Sequence, residues 1–167
     1  MTLSLPHSNV EPVEVRKNFE EIAKQLPVAM PACSVYRNTN QTLANNTDTL
    51  VTWDAEYFDS GDMHSTSTNP GRITAPTAGY YRFSATLCWD VGAVGVRRCR
   101  LLANGATQFA FVQNTPVGVG DPATNTIVGS LELAAAGYVE LYAFHTQGAN
   151  LNLLANNCFF QAEKISP

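Results

Sequence analysis

The densest run of side chains able to do chemistry is Asp59-Ser60-Gly61-Asp62-Met63-His64, two carboxylates and an imidazole close together. A hard cation such as calcium takes roughly six to eight oxygen ligands, more than this segment supplies. The run therefore reads as a solvated loop, as does Asp121 beside Pro122. His7, His64 and His145 stand in no pattern that pairs them with a nucleophile or a second base. A nucleophilic serine on a Gly-x-Ser-x-Gly elbow is absent, and Gly129-Ser130 falls inside a strand-like segment. Pro116-Val117-Gly118-Val119-Gly120 has no Lys-Ser/Thr after it and precedes a strand, which argues against a phosphate cradle. No carboxylate pair has a spacing that suggests glycoside hydrolysis. The expectation is a protein that is not an enzyme and holds no cofactor and no metal.

Arg97, Arg98 and Arg100 make the one basic cluster. In a strand, alternate residues share a face, so Arg98 and Arg100 point the same way. Two guanidinium forks side by side suit a carboxylate or phosphate, such as those of a bacterial surface glycan. The same pair also suits intersubunit ion pairs or a solvated face, and both readings stay open. Cys33, Cys88, Cys99 and Cys158 show no zinc spacing and read as reduced thiols. A Cys33–Cys158 bridge is the alternative if the first and last strands lie side by side.

Composition narrows the partners. Net charge is −4 and charged residues are 14% of the chain, so no basic field invites nucleic acid. No apolar run approaches the length of a membrane span, and no N-terminal run reads as a signal peptide, so neither membrane insertion nor secretion is expected. A surface poor in charge suits an all-β chain with Asn/Thr-rich loops, part of whose surface is hidden in an oligomer.

These side chains must be positioned by strands. From Tyr81, the residues Tyr81, Phe83, Ala85, Leu87 and Trp89 share one face, against Tyr80, Arg82, Ser84, Thr86 and Cys88 on the other. A period of two marks a half-buried antiparallel strand. Further strands are read at 32–37, 50–53, 56–58, 72–74, 96–103, 108–113, 126–133, 138–145 and 158–165. Asn104-Gly105 is the strongest hairpin signal. Many short strands with turns between them indicate a sandwich or barrel.

Residues 1–30 differ from the head at 31–167. Pro12 suits a first helical turn. Val15, Phe19, Ile22 and Leu26 then follow at steps of four, three and four, one stripe on a helix ended by Pro27. So short a helix is marginal alone, so the stripe needs a partner. The partner is the chain's own barrel, the same helix of neighbouring chains, or a socket on a larger particle.

The run Arg72-Ile73-Thr74-Ala75-Pro76-Thr77-Ala78-Gly79-Tyr80-Tyr81-Arg82-Phe83 resembles the core motif of the complement globular-head (C-one-q-like) domain, of the tumour necrosis factor-like jelly-roll superfamily. Ala32-Cys33-Ser34-Val35-Tyr36-Arg37, Trp53 to Asp59, Leu101 to Gly105 and Phe159-Phe160 fit the same family in order. Ile73 replaces the usual aromatic, and Gly-X-Y repeats are absent. The resemblance implies a ten-stranded jelly-roll sandwich that binds rather than catalyses, usually as a homotrimer. Tyr80, Tyr138, Tyr142 and Phe144 are the candidates for the trimer interface, the alternative being partial exposure or a place under loops. The N-terminal helix followed by prolines and a small β head is similar to small bacteriophage virion proteins. That likeness implies a virion location with Val15, Phe19, Ile22 and Leu26 as the anchor to other virion proteins, a capsid decoration or head spike. A tail-tip or fibre-tip module whose loops, such as 59–69 and 115–125, contact host surface glycan is the alternative, with Arg98 and Arg100 as possible ligand residues.

Overall fold

The computed structural model describes residues 15–18, 21, 30–116 and 120–166. Residues 15–18 are helical and Val15 is exposed. Phe19, Ile22 and Leu26 of the predicted anchor, and His7, lie outside the described residues.

Among the described residues the head is an antiparallel sandwich of twelve strands, where ten were expected. They are β1 Ala32–Tyr36, β2 Gln41–Leu43, β3 Thr49–Leu50, β4 Ala55–Asp59, β5 Arg72–Thr74, β6 Gly79–Trp89, β7 Arg97–Ala103, β8 Thr107–Asn114, β9 Ala123–Leu133, β10 Tyr138–His145, β11 Leu151–Leu153 and β12 Phe159–Ser166. The surplus arises where short strands share one edge of a long one. β12 and β11 meet the same side of β6 at different heights, and β5 and β3 do so on β10. One sheet has seven strands, with β9, β6, β12, β1 and β4 side by side and β2–β11 at one corner. The other has five, with β8, β7 and β10 side by side and β5 and β3 along the far edge of β10.

The alternation in β6 settles the inward face. Tyr81, Phe83, Ala85, Leu87 and Trp89 are buried, and they meet Leu101, Val139 and Leu141 of the other sheet and Phe160 of β12 in one core. Trp89 satisfies its indole N–H on Asn125 Oδ1 at 2.7 Å, as a buried polar group must. The Asn104-Gly105 signal becomes a three-residue turn between β7 and β8, with φ of 50° and 71° at these two positions. The turn is fixed by a backbone pair, Asn104 N–H to Tyr138 O at 2.9 Å. At Gly129 of β9, a Cβ would come within 2.7 Å of the Phe109 ring, so only glycine lets β8 settle over β9 and close that side of the sandwich.

The Cys33–Cys158 bridge is ruled out by register. β1 does lie beside β12, but Cys33 stands opposite Ala162. At ~3.3 Å per residue, Cys158 lies ~13 Å away, past the ~7 Å that a disulfide spans. All four cysteines are free. Burial pushes the Cys33 and Cys99 thiols up to about 12 and Cys158 to about 11. Cys158 Sγ instead accepts the Cys88 N–H at 3.2 Å.

Candidate interaction surface

The sandwich has two outer faces, and both carry aromatics. On the seven-stranded sheet, the outward side chains of β6 are Tyr80, Arg82, Ser84, Thr86 and Cys88, as the alternation requires. Short polar groups fill its middle in cross-strand rows. Ser84 donates to Gln161 Oε1 at 3.3 Å, and Gln161 Nε2 donates to Ser34 Oγ at 3.1 Å. Thr86 and Thr126 hydroxyls lie 3.2 Å apart. Around this flat field stand large apolar side chains with no cover: Tyr57 at 64% exposure, Phe58 at 54%, Val128 at 58% and Tyr80 at 47%. Tyr57 stacks on Tyr36 with ring centroids 4.3 Å apart. A shallow depression of about 180 Å³ lies among Ala32, Phe58, Arg82, Ser84, Gln161 and Glu163. Small-molecule sites are typically several hundred Å³, so it fits one protruding side chain better than a whole ligand.

The five-stranded sheet treats its aromatics differently. Tyr138, Tyr142 and Phe144 alternate outward along β10, and a guanidinium sits on each ring: Arg72 on Tyr138 at 4.0 Å, Arg100 on Tyr142 at 5.7 Å and Arg98 on Phe144 at 3.9 Å. The register dictates two of these pairs, since Tyr142 faces Arg100 and Phe144 faces Arg98 across the β10–β7 ladder. Cation–π attraction of this kind contributes about 0.5–1 kcal/mol at exposed sites. Arg72 Nε also donates to the buried Glu140 at 2.8 Å, a hydrogen bond that raises the Arg72 pKa. Burial raises the Tyr142 phenol, and the nearby Glu140 adds to it.

The four predicted interface aromatics therefore do not share a surface. Tyr80 is on the seven-stranded face. Tyr138, Tyr142 and Phe144 are on the opposite face, roofed by arginines. Tyr57, Phe58 and Val128, the most exposed large apolar side chains around Tyr80, were not expected. Arg98 and Arg100 do share a face, and a carboxylate that sequence reasoning missed, Asp48, stands 3.6 Å from Arg98 Nη2 and 3.1 Å from Arg100 Nη2.

The third arginine of that cluster turns inward. Arg97 is fully buried and has no acidic partner among the described residues. Its Nη atoms donate to the Gly92, Val94 and Val96 carbonyls and to Gln147 Oε1 at 2.6–3.2 Å. Desolvation lowers its pKa. Its role is to tie the β6–β7 loop to the β10–β11 loop. His145 is buried beside it, with Nε2 donating to Leu43 O at 3.2 Å. Burial lowers the His145 pKa, and Arg97 adds to that.

The Asp59–His64 run is also structural. Asp59 accepts the Gly61 and His64 backbone N–H groups at 3.1 and 2.8 Å. The His64 ring reaches Glu56 Oε1 at 2.7 Å and Pro70 O at 3.1 Å, so it clamps the loop onto β4. Among the described residues, no group of three His, Cys, Asp or Glu side chains converges on a cation position. No described helix is long and apolar enough to cross a membrane.

No family model matches the sequence, and no curated protein matches it. Solved structures do match the fold. The tumour necrosis factor Eiger of S. frugiperda aligns over 83% of this chain and 94% of its own, with 11% identity and a TM-score of 0.60. The globular domain of zebrafish complement 1qA protein aligns over 82% and 98%, with 19% identity and a TM-score of 0.54. Murine APRIL aligns over 82% and 100%, with 11% identity and a TM-score of 0.57. The fold is the tumour necrosis factor/C-one-q-like jelly roll. At these identities the likeness is one of fold, and the surfaces described above carry the argument about function.

Proposed function

We propose that this chain is a non-enzymatic binding head that assembles as a homotrimer through its seven-stranded faces, held to a bacteriophage virion by its N-terminal segment. The observation that carries the self-association is the ring of uncovered Tyr57, Phe58, Tyr80 and Val128 around a flat, hydrogen-bonded field. Exposed apolar patches rimmed by polar groups mark contact sites, and aromatics concentrate at interface centres. The depression beside Phe58 offers a neighbour's side chain a seat. The fold supports a trimer, since the family that the sequence resembles is usually trimeric.

The virion part draws on the sequence of residues 1–30, which is similar to that of small phage structural proteins. Capsid decoration or a head spike is the first reading. A receptor-binding module at a tail or fibre tip is the second, and the arginine pair on the opposite face favours it.

Mass photometry of the full chain tests assembly. A species at three times 18.1 kDa is expected, and a stable monomer overturns the reading. Attachment is tested separately by a variant with serine at positions 15, 19, 22 and 26. That variant should keep the trimeric head and lose incorporation into particles; unchanged incorporation removes the anchor.

A further inference from the structure

We infer that the outer face of the five-stranded sheet binds an acidic sugar through Arg98, Arg100 and Phe111. The shelf belongs to a single chain and stands whether or not the chain trimerises or joins a particle.

The argument begins with a shortfall of acceptors. Arg98 and Arg100 bring two positive charges to a single carboxylate, Asp48. Neither guanidinium makes a hydrogen bond within the described chain, and the Nε of each is buried without a partner. Arg37 and Arg72 spend their Nε donors on Thr39 O and Glu140 Oε1, and Arg97, whose Nε is also unpaired, spends its Nη donors on backbone carbonyls and Gln147. The pair is also held in place. Phe144 lies under Arg98 at 3.9 Å and Tyr142 under Arg100 at 5.7 Å, packing that restricts both side chains and lowers the entropy lost when a ligand binds.

The chemistry of the ligand follows from two neighbours. Asp48 lies within 4 Å of both forks, so the planar anion this geometry already accommodates is a carboxylate. Phe111 stands directly across the ladder from Arg100 and is half exposed. Its ring is a free apolar ledge beside the charge, onto which the C–H face of a sugar ring can settle. A carboxylate on a ring with an apolar face describes a uronic acid, and a free small anion would leave Phe111 unused.

Asp48 then acts as an internal competitor, which gives the test its sign. Oligogalacturonate is titrated into the full chain, with galacto-oligosaccharide of equal length and acetate as controls, while the arginine Nε–Hε NMR signals are followed. Oligogalacturonate should shift the Arg98 and Arg100 signals; the two controls should leave them in place. Asp48→Asn should tighten binding by about five-fold, since an exposed ion pair no longer competes. Arg100→Lys keeps the charge but loses the fork, and should weaken binding at least several-fold while the melting temperature holds. Phe111→Ser should weaken the saccharide alone. No shift with oligogalacturonate, an equal response to acetate, or unchanged or weaker binding by Asp48→Asn overturns the assignment.

Discussion

The two outer faces hold similar aromatic side chains in opposite conditions. On the five-stranded sheet, Tyr138, Tyr142 and Phe144 each lie under a guanidinium and are largely removed from water by their own chain. On the seven-stranded sheet, Tyr57, Phe58 and Tyr80 have no such roof. The ion pairs differ in the same sense. Arg72–Glu140 is short and has one buried partner, whereas Arg82–Glu163 spans 3.5 Å between side chains more than half exposed. An aromatic residue thus signals a contact surface only when nothing local covers it. On the first face the β10 rings are covered within the chain while Phe111 of β8 stays half exposed; on the second the aromatics stand without such cover.

The sharpest way to break this contrast is to charge each face in turn. Tyr80→Asp with Val128→Asp should convert the proposed trimer to monomers, seen as a threefold drop in mass at unchanged circular dichroism. Tyr142→Ser with Phe144→Ser should leave the mass unaltered. The reverse pattern would exchange the roles of the faces. A middle-sized effect is expected from the ion pairs. Arg72→Ala strands the Glu140 carboxylate and should cost about 2 kcal/mol, whereas Arg82→Ala should stay within about 0.5 kcal/mol, both read from denaturant midpoints. The smallest effect is a slope. The folded state holds His145 below its ordinary value, so the unfolded chain takes up a proton that the native chain refuses. Stability should be complete above about pH 6.5 and fall as pH drops through that value. Thermal melts of His145→Gln, beside wild type, should show that slope flattened.

Much of the sandwich was legible in the sequence, and for a plain reason. β6 and β10 are long and bury one face only, so their alternation survives in the residue types. β2 and β11 were not legible as a pair. Each has three residues, too few to show a period, and they form against each other across a separation of 110 residues. Tyr57 and Phe58 were missed because consecutive residues of a regular strand face opposite ways. β4 runs along the sheet edge against an irregularity at Ser34/Val35, and this lets both face water. Asp48 sits in an Asn/Thr-rich stretch that reads as generic polar loop, and only the fold carries it to the arginines. The arginines over the β10 tyrosines were not legible, because strand alternation tells which side a ring is on, not whether an arginine lies over it.

β1 lies one strand in from the edge of the seven-stranded sheet, bonded on one side to β12 and on the other to β4. Its first residues adjoin the end of β12, where the Lys164 N–H meets Pro31 O at 2.9 Å. A pull transmitted through residue 30 therefore runs along the strand axis, across hydrogen bonds that lie perpendicular to it. Both ladders are strained together in shear, instead of opening one rung at a time as a zipper would. A head tethered through this strand is mechanically strongest in the direction in which its own tether would pull it.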